Sequence, residues 1–127
     1  MKKNRPGSVT LSTMAAFKWP ITALSSILHR MSGVLLFIAV PFALWMLEQS
    51  LESQTSYEQL QHLLSGGLAK FIIWLVLAAL SYHIIAGIKH LLMDIGIGES
   101  LEGGILASRL VIILGVLTAI GLGVWIW

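Results

Sequence analysis

The sequence contains no cysteine, which excludes disulfides, thiolate nucleophiles and cysteine-ligated iron–sulfur clusters from this chain. Charge is almost as scarce: Asp, Glu, Lys and Arg make up 11% of the 127 residues against 57% hydrophobic, too apolar a balance for a soluble domain of this size. The charged start is not followed by the short apolar core and small-residue cleavage site of a secretory leader, so the first apolar segment is expected to persist as a helix. Internal repeats and low-complexity tracts are also missing.

What is present suits a bilayer. Three stretches, about 21–47, 68–93 and 105–127, meet the requirement of roughly 20 mostly apolar residues for a spanning helix. The expected fold is an all-α membrane protein with three transmembrane helices forming one membrane-anchor domain over 1–127, surrounded by membrane lipid and with no role for nucleic acid. Residues 1–19 are polar and basic and contain Pro6 and Gly7, which reads as an arm ordered by a partner. Pro20 fits the first turn of the first helix, and Pro41 is expected to kink its far half.

The placement of charge gives an orientation. Lys2, Lys3, Arg5, Lys18, Arg30, Lys89 and Arg109 fall at the N-terminus or beside the loop joining the second and third spans, leaving only Lys70 elsewhere. The positive-inside bias then puts the N-terminus in the cytoplasm and the C-terminus in the periplasm. Tryptophans agree, with Trp19 at the inner interface and Trp45, Trp74, Trp125 and Trp127 at the outer one. The outer connection, EQSLESQTSYEQLQHLLSGG, reads as an amphipathic surface segment in which His62 is an ordinary surface histidine. The inner one, DIGIGESLEGG, reads as a turn.

Polar residues inside the spans carry the functional signal. Ser26, His29, Arg30 and Gly33 share one face of the first helix by i+3, i+4 and i+7 spacing. That face avoids lipid, because an Arg at the centre of a span costs roughly 3 kcal/mol even on lenient insertion scales. Arg30 lies about 15 Å into its helix at 1.5 Å per residue. The second span repeats the pattern with His83, Gly87, His90 and Asp94 in one stripe, and His83 sits at a similar depth.

A single intramembrane histidine often serves packing alone. Gly87, one turn from His83, favours ligation instead, since a porphyrin lying against a helix needs a missing side chain there. A haem b accounts for several features at once: His83 supplies an axial nitrogen, and His29 or Arg30 pairs with propionates otherwise buried without compensation. The second axial ligand is either His29 or a histidine of another subunit; the position of His29 beside Arg30 favours contact with propionate or water. Ser26 and Arg30 can hold a quinone carbonyl and stabilise negative charge arriving there, although a lone serine in a helix commonly bonds back to its own carbonyls. Lys89 and Asp94 are expected at the inner rim.

Two segments, SILHRMS over Ser26–Ser32 and HIIAGIKHLLMDIG over His83–Gly96, resemble those of the cytochrome b membrane-anchor subunits of bacterial succinate dehydrogenase, and the three-span layout matches throughout. Lys89 departs from the arginine usual in that family, and Gly7 from an aliphatic residue. The resemblance implies that His83 is the axial haem ligand, with the other axial histidine on a second, smaller anchor subunit. It implies that Ser26 and Arg30 line the ubiquinone site and that His29 and Arg30 lie by the haem propionates. It further implies a bacterial inner-membrane complex with flavoprotein and iron–sulfur subunits on the cytoplasmic side, this chain performing no succinate chemistry itself. Two other readings compete: an anchor of fumarate reductase, and a small non-haem scaffold in which His83, His90 and Asp94 relay protons.

Overall fold

The computed structural model describes residues 19–127. The expected N-terminal arm, with Lys2, Lys3, Arg5, Pro6, Gly7 and Lys18, lies outside them. The described chain consists of helices α1 (Ile21–Glu52), α2 (Gln54–Leu64), α3 (Gly67–Asp94) and α4 (Leu101–Ile126), with no strand among the described residues.

Helices α1, α3 and α4 are each long and apolar enough to cross a membrane, as the three apolar runs require. α1 continues past Leu47 to Glu52, because Glu48 and Gln49 are good helix formers and the Ser50 hydroxyl donates back to the Leu47 carbonyl at 2.7 Å. Pro20 stands just before the first turn with extended backbone, and its carbonyl accepts from the N–H groups of Ala23 and Leu24 at 3.0 and 3.1 Å. The helix runs unbroken through Pro41.

The segment expected at the surface is a helix of its own. Ser53 caps α2 by accepting from the Ser56 N–H at 3.1 Å, and Leu60 is the one buried residue of α2. Between α3 and α4 the chain closes in a Schellman arrangement: the Ile97 N–H donates to the Leu92 carbonyl at 2.9 Å, and the Gly96 N–H to that of Met93 at 3.0 Å. Gly96 and Gly98 have φ of 87° and 77°, a region where a side chain strains the backbone. Ser100 then caps α4 through the Gly103 N–H at 3.0 Å.

α3 is the central helix, packing most extensively on α4 and next on α1. Gly104, Ser108, Val111 and Gly115 form the buried stripe of α4, the small-residue spacing that lets membrane helices approach closely. A Cβ at position 115 would stand 2.5 Å from Cδ2 of Tyr82, so the glycine makes room for that ring. Trp74 donates its indole N–H to the Ala119 carbonyl at 2.8 Å, which ties it to α4. Only 6% of the most apolar stretch of α1 and of α3 is covered by the rest of the chain, and 17% of that of α4. Most of the apolar surface of these helices is therefore left uncovered by the described chain.

Candidate functional site

Parts of the expected polar stripes meet: His29 and Gly33 of α1 lie against His83, Gly87 and His90 of α3, whereas Arg30 and Asp94 are exposed. The His29 and His83 rings stack with centroids 4.2 Å apart and planes inclined by 24°, and the His90 ring lies 5.0 Å from that of His29. Gly33 makes this approach possible, whereas a side chain at Gly87 would meet only ordinary contact. A Cβ at Gly33 would stand 3.0 Å from Cε1 of His83, and one at Gly87 would stand 3.7 Å from Nε2 of His29. The gap at Gly87, expected to admit a porphyrin edge, therefore borders the imidazole that α1 brings across.

Hydrogen bonds fix the state of His83. Its Nδ1 lies 3.1 Å from the His29 carbonyl oxygen and 3.0 Å from Ser32 Oγ. The carbonyl can only accept, so Nδ1 must carry the proton. The Ser32 hydroxyl donates to the same carbonyl at 2.7 Å, which leaves its lone pairs for Nδ1–H. In the neutral ring Nε2 of His83 is then the unprotonated nitrogen, and it takes no hydrogen-bond partner among the described residues. An imidazole with Nδ1–H on a carbonyl and Nε2 free is the usual preparation of a metal-ligating histidine.

His29 is less complete. Its Nε2 is buried with no hydrogen-bond partner, a situation that ordinarily calls for a ligand or water. Ser25, fully buried on the same helix, also has an unpartnered hydroxyl, while its carbonyl accepts from the Tyr82 hydroxyl at 3.1 Å. Ser26 is half-buried and Arg30 exposed. The Ser26 hydroxyl does not bond back to its own helix, and Arg30 meets no carboxylate among the described residues.

Lys89 is elsewhere. It is buried, and its Nζ donates to Ser108 Oγ at 2.9 Å; that hydroxyl in turn donates to the Gly104 carbonyl at 2.8 Å. Lys89 thus faces α4, a full helical face away from the His83–Gly87–His90 stripe. A groove of about 350 Å³ between α3 and α4, lined by residues such as Ile88, Leu92, Val111 and Leu114, lies on that side too. Asp94 ends α3 and is exposed.

Among the described residues, no three His, Asp or Glu side chains are arranged to hold a metal ion directly. One prepared imidazole and one orphaned one suit a metal that arrives already ligated in a ring, and to that extent the residues fit a haem. Ser32 and Tyr82 went unnoticed in the sequence as contributors to this seam. Ser32 follows His29 by one turn and belongs to its face, a signal that was available. Tyr82 reaches α1 only through the tertiary fold.

These observations define a multi-pass helical membrane subunit whose imidazoles lie between two of its spans. Residues 1–123 match the family described as succinate dehydrogenase/fumarate reductase transmembrane subunit, and the chain belongs to that family. It is 36% identical over the full length of both chains to the succinate dehydrogenase cytochrome b556 subunit of Coxiella burnetii. The subunit of the same name from Paracoccus denitrificans is 30% identical, covering 92% of this chain and 91% of its own. The succinate dehydrogenase cytochrome b560 subunit of Marchantia polymorpha is 40% identical over 76% of this chain and 72% of its own. The resemblance to cytochrome b anchor subunits of succinate dehydrogenase is thereby borne out.

Proposed function

We propose that this chain, with a smaller partner anchor subunit, holds a haem b and forms one wall of the site where ubiquinone is reduced by electrons from the iron–sulfur subunit. The observation that carries the reading is the Nδ1–H bond of His83 to the His29 carbonyl, which presents a free Nε2. When bound, the haem supplies a one-electron centre between the soluble subunits and the quinone. His83 would hold its iron through Nε2, together with a histidine of the partner subunit. His29 and Arg30 meet the propionates, giving the buried Nε2 of His29 the partner it lacks.

Ser26 and Arg30 act on the quinone. The unengaged Ser26 hydroxyl donates to a quinone carbonyl, and the Arg30 guanidinium stabilises the negative charge that builds on that oxygen. Excluding lipid from this face falls to the partner subunits, which also shield Arg30. Flavoprotein and iron–sulfur subunits dock on the side of the N-terminus, taken as cytoplasmic from the charge bias, and the complex sits in the bacterial inner membrane.

The test is a reduced-minus-oxidised optical spectrum of the complete complex, assayed with ubiquinone and menaquinone analogues. A b-type spectrum and ubiquinone reduction support the reading. A complete, active but colourless complex rejects the haem and favours a scaffold or proton relay, and preference for menaquinone with fumarate reduction reassigns the physiological direction.

A further inference from the structure

Resting on the haem reading above, we infer that Ser32 is a positioning residue for the axial ligand: its hydroxyl, locked onto the His29 carbonyl, holds the His83 Nδ1–H and so sets both ring orientation and electron donation through Nε2. The triangle of atoms admits one assignment of hydrogens. Ser32 Oγ–H points at the His29 oxygen at 2.7 Å, and Nδ1–H lies between that oxygen at 3.1 Å and Ser32 Oγ at 3.0 Å. In the other tautomer, the Nδ1 lone pair would face a carbonyl lone pair at the same distance, and the repulsion rules it out.

Burial makes the arrangement rigid. Ser32 is 7% exposed, so water does not compete for the hydroxyl, and a hydrogen bond in such surroundings is stronger than one in solvent. The ring is also confined on its edge, since Gly33 leaves only the space of its missing Cβ beside Cε1, and on its face by the stacked His29. The hydroxyl is the only side-chain group among these that accepts the proton of the ligating ring. An acceptor on Nδ1–H raises the basicity of the opposite nitrogen. That favours the ferric over the ferrous state, so the bond to Ser32 lowers the haem potential.

The experiment uses the complete complex carrying S32A or S32T, with haem content, low-spin electron paramagnetic resonance and a redox titration as readouts. In S32A the midpoint potential shifts upward and the resonance moves, or haem is lost; S32T, which keeps the hydroxyl, stays close to the parent in all three. An S32A complex with parental potential and resonance overturns the inference. Equal impairment of S32A and S32T also overturns it, because volume rather than the hydroxyl would then be responsible. Absence of haem from the complex with the unaltered chain is a different result, rejecting the haem reading itself.

Discussion

The two faces of α3 are built on opposite plans. Toward α4, every polar group found at the contact is answered within the chain: Lys89 by Ser108, Ser108 by the Gly104 carbonyl, Ser81 by Thr118, and Trp74 by the Ala119 carbonyl. Toward α1, His83 is held on one nitrogen only, while His29 Nε2 and Ser25 Oγ are buried without a partner. A buried polar group left unsatisfied costs about 1–3 kcal/mol, so the second contact is incomplete until another molecule supplies what it lacks.

The contrast can be broken from either side. The largest effect is expected for H83L, which removes the prepared nitrogen: the low-spin haem spectrum of the complex is altered or abolished. An unchanged spectrum moves the ligand to His29. R30L comes next, with quinone reduction falling on the order of 10²-fold, the usual scale for removing a group that stabilises developing charge, and S26A acts in the same direction. Succinate oxidation by a soluble artificial acceptor persists in both; equal loss of the two activities indicates failed assembly.

Changes on the α4 side affect stability and leave the spectrum alone. G115V forces a side chain against the Tyr82 ring and destabilises by about 1–3 kcal/mol, the range for overpacking. S108A strips Lys89 of its acceptor and costs about as much, while K89M, which removes the charge along with the bond, costs less. Thermal denaturation of the purified complex, followed at the haem band, ranks the three. Smallest of all is H62A on exposed α2, expected within about 0.5 kcal/mol of the parent by the same measurement.

Much of the fold was legible because hydropathy is a local property. The apolar runs located all three spans, and helical spacing brought Ser26, His29 and Arg30 toward one face and His83, Gly87 and His90 toward another. The helix ends were less legible, since Glu48–Glu52 and Leu101–Gly104 are mostly polar or small and continue helices beyond the apolar core. The partner of Lys89 was not legible for a different reason. Which neighbour covers a helix face is a tertiary fact, and Ser108 on α4 was the neighbour. Ser32 joins His83 across 51 positions of sequence, a contact that no spacing rule within one helix contains.

The glycine contacts also serve as a ruler. Gly33 lies beside His83 and Gly87 beside His29, while Lys89 lies beside Ser108 and Tyr82 beside Gly115. These pairings put Arg30, Lys89 and Arg109 at one level, within about one 5.4 Å turn of each other. Beyond that belt, Met31–Leu47 and Leu110–Trp127 carry no Asp, Glu, Lys or Arg, nor does Phe71–Ile88 before it. Each stretch measures about 26 Å at 1.5 Å per residue, close to the roughly 30 Å of bilayer hydrocarbon. Arg30 therefore stands at one edge of the charge-free stretch, and the imidazoles lie beside that edge. On the quinone reading proposed above, a quinone reduced beside these residues would draw its two protons from water on that one side.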